Sequence, residues 1–537
     1  MVWPHLQGRW GFLYCILLGK NMRRGILFVF LLLFFFNGLL AQPGGNYLQS
    51  IIQDKTALAK TGIQYPGLVR EFYLSNGYKP AWINEEGRLQ REALINLLSL
   101  SDELGLNESD YQFGFVRSYR KGELKLLSTN DSVNTELLFT DAALHFFCDV
   151  AFGNKPPALG YDGLHFNQPF SEIPVLLNQH LQNKELLLLP GKLSEGLPEI
   201  KIVLHKLQQL QKRTRQENFT EVTVAVKSAS ASNSNLVLKL YQLGFLDSTQ
   251  NVTDAVLKQK IKEAQQSFGL LDDAVIRSTF LQELNVPLQA RVNQLAIALN
   301  NYRWLKSFAQ RQKVIVANIP AAYLKVHEKD SVILQMKLIV GKPSTPTPTL
   351  LSEADEVVLY PYWHVPYSIA TKELLPLIKK APNFLEQGNY QVLNRQGKIM
   401  NPHKINWRRL STKYFPYIIR QATGCDNSLG LLKVNFYSPF GVYLHDTPSA
   451  GLFGTNKRFY SHGCMRMEKP FELGHLLLKD NSIAIDTLEE KGCLLNQSPV
   501  AVPVKEKIPV LVWYNPVALN AEGKLVFYED IYKKLFR

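Results

Sequence analysis

The chain changes character at Lys313. Before it, apolar residues recur at helical spacing. After it come short β-branched and aromatic runs, VIVANIP, YLKV, VILQMKLIVG and EVVLYPYW, divided by Pro343, Pro346 and Pro348. One helical bundle or one sheet cannot satisfy both textures, so the expected fold class is α+β and multidomain. At roughly 150 residues per domain, 537 residues suit three or four domains. In the first part, 90–104 carries Leu94, Leu97, Leu98, Leu100 and Leu104 at helical spacing. A second helix is expected over 140–152, ending at Gly153, and a third over 200–212 after Pro198. These read as packing helices of a helical scaffold over 47–230. The polar run SASASNSN (228–235) marks a linker or loop. Residues 236–285 form a small helical module with amphipathic helices around Gly244 and Gly269, and 291–304 continues as helix. The β-rich domain spans 313–537. Its strands are interrupted over about 370–416 by an insertion whose first part is helical, read as a helical cap. Strands resume at Tyr417 and over 441–445, and the tail is a pair of strands joined through 520–523.

Residues 25–41 carry no charge and follow Arg23 and Arg24, the pattern of a secretory signal or an N-terminal membrane anchor. The run is shorter than the roughly 20 residues of a comfortable span, which favours cleavage after Ala41 over retention as an anchor. Either way the rest is expected outside the cytoplasm, in the periplasm or cell envelope. Met22 opens a normal-looking signal, so the true start is expected at Met1 or Met22. The net charge of +14 suits an anionic partner: a wall polymer, a membrane surface or nucleic acid. No nucleic-acid motif is present, so nucleic acid is not expected. Five cysteines without a C-x-x-C pair argue against a disulfide scaffold or zinc ribbon, and their spacing suggests no pairing.

One segment concentrates reactive groups: Ser461-His462-Gly463-Cys464-Met465-Arg466. A thiol is mostly protonated at neutral pH and needs a base and a positive field to act as a nucleophile. The base is read as His445, in Tyr443-Leu444-His445-Asp446. On a strand, Tyr443 and His445 share a face and Leu444 takes the other. Arg458 and Arg466 flank the cysteine and would favour thiolate. Asp446 faces away from His445, so a backbone carbonyl is the expected orienter. Gly463 leaves amides beside the sulfur unobstructed, suited to a developing oxyanion. Cys148 lies on an apolar helix face, Cys425 lacks the flanking Gly-Cys-x-Arg pattern, and Cys493 lacks a histidine neighbour. An exported thiol also needs protection from oxidation, by burial or a cap.

YLHDTPSAGLF followed by R-x-x-SHGCMRM resembles the L,D-transpeptidase family with a YkuD-type catalytic domain. VIVANIPAAYLKV, LIVGKPSTPTP, YPYWHVPYSIATKELLP, RQATGCDNSLGLLKVNF and the tail VLVWYNPVALNAEGKLVFYEDIY extend the resemblance to its large, multidomain branch. That branch implies an N-terminal scaffold, a peptidoglycan-binding-like module and a capped catalytic domain. The resemblance implies that Cys464 attacks a peptidoglycan tetrapeptide stem, releases the terminal D-residue and holds a thioester that an acceptor amine resolves into a 3-3 type cross-link. It implies His445 as base, Gly463 and Cys464 amides as oxyanion donors, His462 and Arg466 as shaping the site, and Tyr443 and Ser461 as substrate contacts. No metal or organic cofactor is required, and carbapenem-type inhibitors are expected to acylate Cys464. The rival readings are an L,D-carboxypeptidase that hydrolyses the same thioester and a non-catalytic wall-binding scaffold. Two departures from the family pattern stand out. Thr423 replaces a proline, with Cys425 following. In the helical module, Ala274 and Arg277 stand where the pattern has glycines, so glycan binding by 236–285 competes with a spacer role.

Overall fold

The computed structural model describes residues 45–535 apart from 226–228, 382 and 495–496. The expected signal or anchor over 25–41 and the start at Met22 lie outside the described residues. No described helix is long and apolar enough to cross a membrane.

The N-terminal helices pack around one spine, Thr129–Phe152. The helix expected over 140–152 is only its second half, for the spine starts at a capping box. Ser128 accepts from the Asp131 amide and the Asp131 carboxylate accepts from the Ser128 amide. Neighbouring helices cover the spine on nearly all sides, which is why its apolar pattern has no clean stripe. Its fully buried Glu136 accepts from the amides of Trp82 and Ile83 at 3.0 and 2.7 Å and from Tyr73 Oη at 2.8 Å. The carboxylate thereby satisfies a buried turn of the chain before it.

The small module comprises Ser234–Gln242, Asp254–Ser267 and Ser278–Leu284. It does not stand alone. Leu240, Ile261 and Phe280 share one core with Leu207, Leu299, Trp513 and Phe527. Arg291 lies 4.8 Å from the rings of both Phe268 and Phe527, and its charge is met by Glu283 at 2.7 Å. Ala274, where glycine was expected, still takes the left-handed conformation at φ +62°, held by Gln265 accepting from its amide at 2.9 Å.

In the C-terminal part, Leu350–Leu359, Leu432–Phe436, Leu444–His445, Met465–Met467, Ser331–Gly341, Tyr323–Glu328 and Val314–Asn318 pair in that order. Val500–Trp513 pairs with both Val314–Asn318 and Leu350–Leu359 and closes the path on itself. Closure removes free edges and buries Val326, Leu338, Val357, Val434 and Val510 within one core. The tail hairpin, Val517–Leu519 with Leu525–Phe527, forms as expected. The strand expected over 441–445 is reduced to Leu444–His445, since Gly441 turns the chain at φ +64°. Tyr161–Asp162, from the helical part, pairs in parallel with Leu350 and Leu351.

The insertion has its own core, with Ile378, Leu385, Val392, Trp407 and Ile419. Helices form over its first part as expected, but the helical-cap reading needs correction because the element also carries a sheet. Trp363–His364, Ile418–Gln421, Tyr390–Leu393 and Ile399–Met400 form a four-stranded sheet beside Ala370–Leu374 and Leu375–Lys380. These strands give little signal in sequence because they are short and divided by long polar loops.

The cysteine reading also needs correction. Cys425, at the end of the insertion, is bonded to Cys493, just after Ile483–Lys491. Their separation of 68 residues hides the pair from spacing arguments. Thr423 holds the adjoining turn by donating to Gln497 O at 2.8 Å, so the missing proline leaves no gap. Closing a loop of this length is worth about 4 kcal/mol in the chain-entropy account. Cys425→Ser is therefore expected to lower the urea-unfolding free energy by up to that amount, and reductant should bring the unmodified protein to the same midpoint. An unchanged midpoint in both would refute the stabilising role.

Candidate active site

Three adjacent strands build the site. Leu432–Phe436 runs antiparallel to Leu444–His445, with Lys433 opposite His445. Leu444–His445 runs parallel to Met465–Met467, with His445 opposite Arg466. Residues paired across strands share a face, so Lys433, His445 and Arg466 form one row. Tyr443 and Cys464, each two positions before His445 and Arg466, follow on the same face, and the amide of Met465 donates to Tyr443 O at 3.0 Å. The cysteine and the histidine singled out from sequence thus occupy neighbouring rows of one surface.

His445 is buried, and its Nδ1 lies 2.6 Å from Asp446 O. A carbonyl can only accept, so Nδ1 carries the hydrogen and Nε2 keeps its lone pair. The orienter is a backbone carbonyl, as expected. Asp446's carboxylate instead accepts from the amides of Leu431 and Thr447, at 2.8 and 2.7 Å. Burial, then Arg466 and Lys433, depress the His445 pKa to about 3, against an opposing contribution from Asp446 O. The imidazole therefore rests neutral at physiological pH, with Nε2 open to accept a proton.

Cys464 is half-buried, and burial raises its pKa. Hydrogen bonds from the Tyr443 amide and hydroxyl, together with Lys433 and Arg466, work in the opposite direction. Tyr443 is in turn held at its hydroxyl by Trp363 of the insertion, and its ring lies 5.6 Å from that of His445, edge to face. Lys433 Nζ lies 4.0 Å from the Tyr443 ring centroid. Sequence reasoning misses Lys433 and Trp363. Lys433 is an ordinary alternating residue of its strand, and only the register with His445 brings it to the sulfur.

The remaining expected residues divide. Arg458, expected to favour thiolate, is buried and donates to the carbonyls of Leu338, Ala321 and Ala322 at 3.1, 3.2 and 3.1 Å. It braces backbone, and the cation that takes its place beside the sulfur is Lys433. Ser461, expected at the substrate, is also buried. Its hydroxyl donates to Cys464 O at 2.5 Å and accepts from the Gly463 amide at 3.1 Å. Ser461 is thus a brace of the turn, and the Gly463 amide is engaged by it rather than directed at the sulfur. Gly463 has φ +117°, a conformation that favours glycine, and its carbonyl accepts from Thr347 Oγ1 at 2.8 Å. Arg466 stands beside His445 with its Nε buried and unpartnered. His462 Nε2 is 2.8 Å from Glu373 Oε1, so the insertion touches the reactive turn directly. Elsewhere, half-buried His475 and exposed Asp486 and Glu489 each place one donor atom within 4.8 Å of the others, on two helices of the domain surface.

This arrangement can generate a sulfur nucleophile next to a neutral base. Burial keeps the thiol protonated and the imidazole neutral at rest, while Tyr443, Lys433 and Arg466 offset part of the cost of charge on sulfur, so proton transfer is coupled to attack. Lys433→Met should raise the thiol pKa, because it removes a cation that stabilises thiolate. The pH midpoint of Cys464 alkylation by iodoacetamide should rise by roughly one pH unit; an unmoved or lowered midpoint would refute the role.

An L,D-transpeptidase catalytic domain (YkuD) matches residues 312–485, and a scaffold domain matches 67–193. A Haemophilus influenzae protein named "Putative L,D-transpeptidase" is 35% identical over 236 residues, which are 44% of this chain and 47% of that one. The chain thus spans about half the length of the curated relative it matches. Among solved structures, an L,D-transpeptidase from Mycobacterium smegmatis shares 18% identity at a TM-score of 0.17. LdtMt1, an LD transpeptidase in complex with imipenem, shares 17%, also at a TM-score of 0.17. Each alignment covers 37% of this chain and 58% of the solved one.

Proposed function

We infer that this chain, which carries an L,D-transpeptidase catalytic domain behind a scaffold domain, is a cell-wall L,D-transpeptidase with Cys464 as nucleophile and His445 as base. The observation that carries this reading is the shared face of Tyr443, His445, Cys464, Lys433 and Arg466. In the acylation step, His445 Nε2 takes the thiol proton as Cys464 Sγ bonds to the carbonyl carbon preceding the terminal D-residue of a tetrapeptide stem. The carbon–nitrogen bond breaks, and the imidazolium returns its proton to the departing amine. In the second step an acceptor amine from another stem attacks the thioester and gives its proton to His445. The new amide forms, the carbon–sulfur bond breaks, and the sulfur regains the proton. Tyr443 Oη, Lys433 and Arg466 offset the negative charge that develops on sulfur as its proton leaves. A disulfide between Cys425 and Cys493 suits an oxidising compartment, which agrees with export to the periplasm or envelope.

The insertion acts as a cap that excludes water from the thioester. Its contacts through Trp363 and Glu373 fall on Tyr443 and His462, the residues that border the sulfur. Glu373 lies in a π-helical turn, Ala370–Leu374, whose geometry is common at functional sites.

Two experiments test the reading. A carbapenem should add once to the unmodified chain and not to Cys464→Ala, measured by intact mass; adduct on Cys464→Ala, or none on either, would refute the nucleophile. Incubation with tetrapeptide-rich sacculi should give new dimers by muropeptide analysis; D-residue release without dimers would make the enzyme an L,D-carboxypeptidase. Weakening the cap with Glu373→Ala should raise hydrolysis relative to cross-linking in the same assay, and an unchanged ratio would refute the water-excluding role.

A further inference from the structure

A cavity of about 1630 Å³ lies away from the reactive face, between the end of the scaffold segment, the helix Pro198–Thr214 and the small module. Most of its lining lies between the two family matches, and none belongs to the catalytic match. The long helix shapes it. Val203, Leu207 and Leu210 face the shared core, while Lys201, His205, Gln208 and Lys212 are exposed. Their spacings of four, three and four residues put them on one face, along roughly 17 Å of groove. Lys192 faces them from the scaffold side. At the module end the Arg213 guanidinium is stacked 3.7 Å from the Tyr241 ring centroid.

Four permanent cations, Lys192, Lys201, Lys212 and Arg213, meet only two carboxylates in this lining, Glu195 and Asp247. Among the described residues none of Lys192, Lys212 and Arg213 has a carboxylate partner. The groove is therefore electropositive, elongated and furnished with amide side chains able to bond hydroxyl groups. It also has a flat stacked surface suited to the apolar face of a sugar ring. An anionic membrane would meet an exposed convex patch, whereas this surface is recessed and linear.

We propose that this groove binds an uncross-linked glycan strand of the wall carrying acidic stem peptides, as a second substrate contact separate from the Cys464 face. The proposal rests on the wall-enzyme reading and adds to it a site for the polymer rather than for the scissile stem. Charge complementarity with the stem carboxylates supplies a salt-sensitive part of the affinity, and Tyr241 with Arg213 supplies the selectivity for sugar.

The test uses the full chain carrying Cys464→Ala, so that nothing turns over, and soluble uncross-linked glycan–peptide strands as probe. Polyglutamate and anionic phospholipid vesicles serve as comparators. Lys201→Glu/Lys212→Glu should weaken strand binding roughly tenfold. Tyr241→Ala should weaken it roughly threefold while leaving polyglutamate binding alone. Should the charge-reversed pair not fold, Lys201→Gln/Lys212→Gln carries the same comparison, read with a thermal melt. In the chain that retains Cys464, the same variants should keep parental rates of carbapenem acylation and free-tetrapeptide turnover. Unchanged strand affinity in both variants would overturn the proposal. So would polyglutamate binding as tightly as strands, or vesicles binding where strands do not. Failure of tetrapeptide turnover in the unmodified chain would instead sink the enzymatic reading, because strand binding is read in its absence.

Discussion

The site depends on a short parallel pairing, Leu444–His445 against Met465–Met467, held inside a closed sheet. Each strand is too short to be stable alone. They persist because Leu432–Phe436 and Ser331–Gly341 bracket them and the circuit has no free end to fray. This pairing fixes the register that sets His445 beside both Lys433 and Arg466. A slip by one residue would turn the imidazole to the opposite face. Burial follows from the same closure, and burial is the first cause of both the depressed imidazole and the raised thiol. The chemistry of the site is therefore a property of the sheet more than of any one side chain.

The turn that carries the thiol is equally constrained. Thr347 donates to Gly463 O and accepts from the Gly341 amide, while Tyr532 donates to Gly341 O and accepts from the Thr347 amide. The C-terminal tail thus pins the loop that supports the reactive turn. Ser461 belongs to this brace, which explains why it is buried and why its hydroxyl proton is already committed to Cys464 O. On the other side the insertion reaches in through Trp363 and Glu373, and the Cys425–Cys493 bond fastens its far end to the domain. An element tied at its base and in polar contact at its tip is built to be positioned without being fused to the site.

The helical parts are joined to the catalytic part by shared cores rather than by a free linker. Leu299 and Tyr302 of the helix Leu288–Ala309 pack with Trp513 and Val517, while Tyr161–Asp162 adds a strand beside Leu350 and Leu351. The small module closes over the same cluster through Phe268 and Phe527. The groove between scaffold and module is consequently framed by packed elements, which gives a long ligand a surface of defined shape.

Much of this is legible in the amino-acid sequence. The change of texture at Lys313, the helix over 200–212, the tail hairpin and the shared face of Tyr443 and His445 follow from local periodicity, which the chain carries in itself. The residue types around Cys464 likewise announce a nucleophile and a base through spacing and the properties of thiol and imidazole. Other features are not legible there. Arg458 and Ser461 look like site residues in sequence because they neighbour Cys464, yet sequence adjacency does not say which way a side chain turns, and both turn into the backbone. Lys433 and Glu373 have no local signal, and the Cys425–Cys493 bond closes a separation of 68 residues. Sequence by itself marked out the candidate reactive atoms and the class of chemistry they suit, since both are local. Tertiary structure alone decided which charges surround those atoms and which groups are shielded from water, because the Coulomb and desolvation terms depend on distances that strand register and sheet closure create.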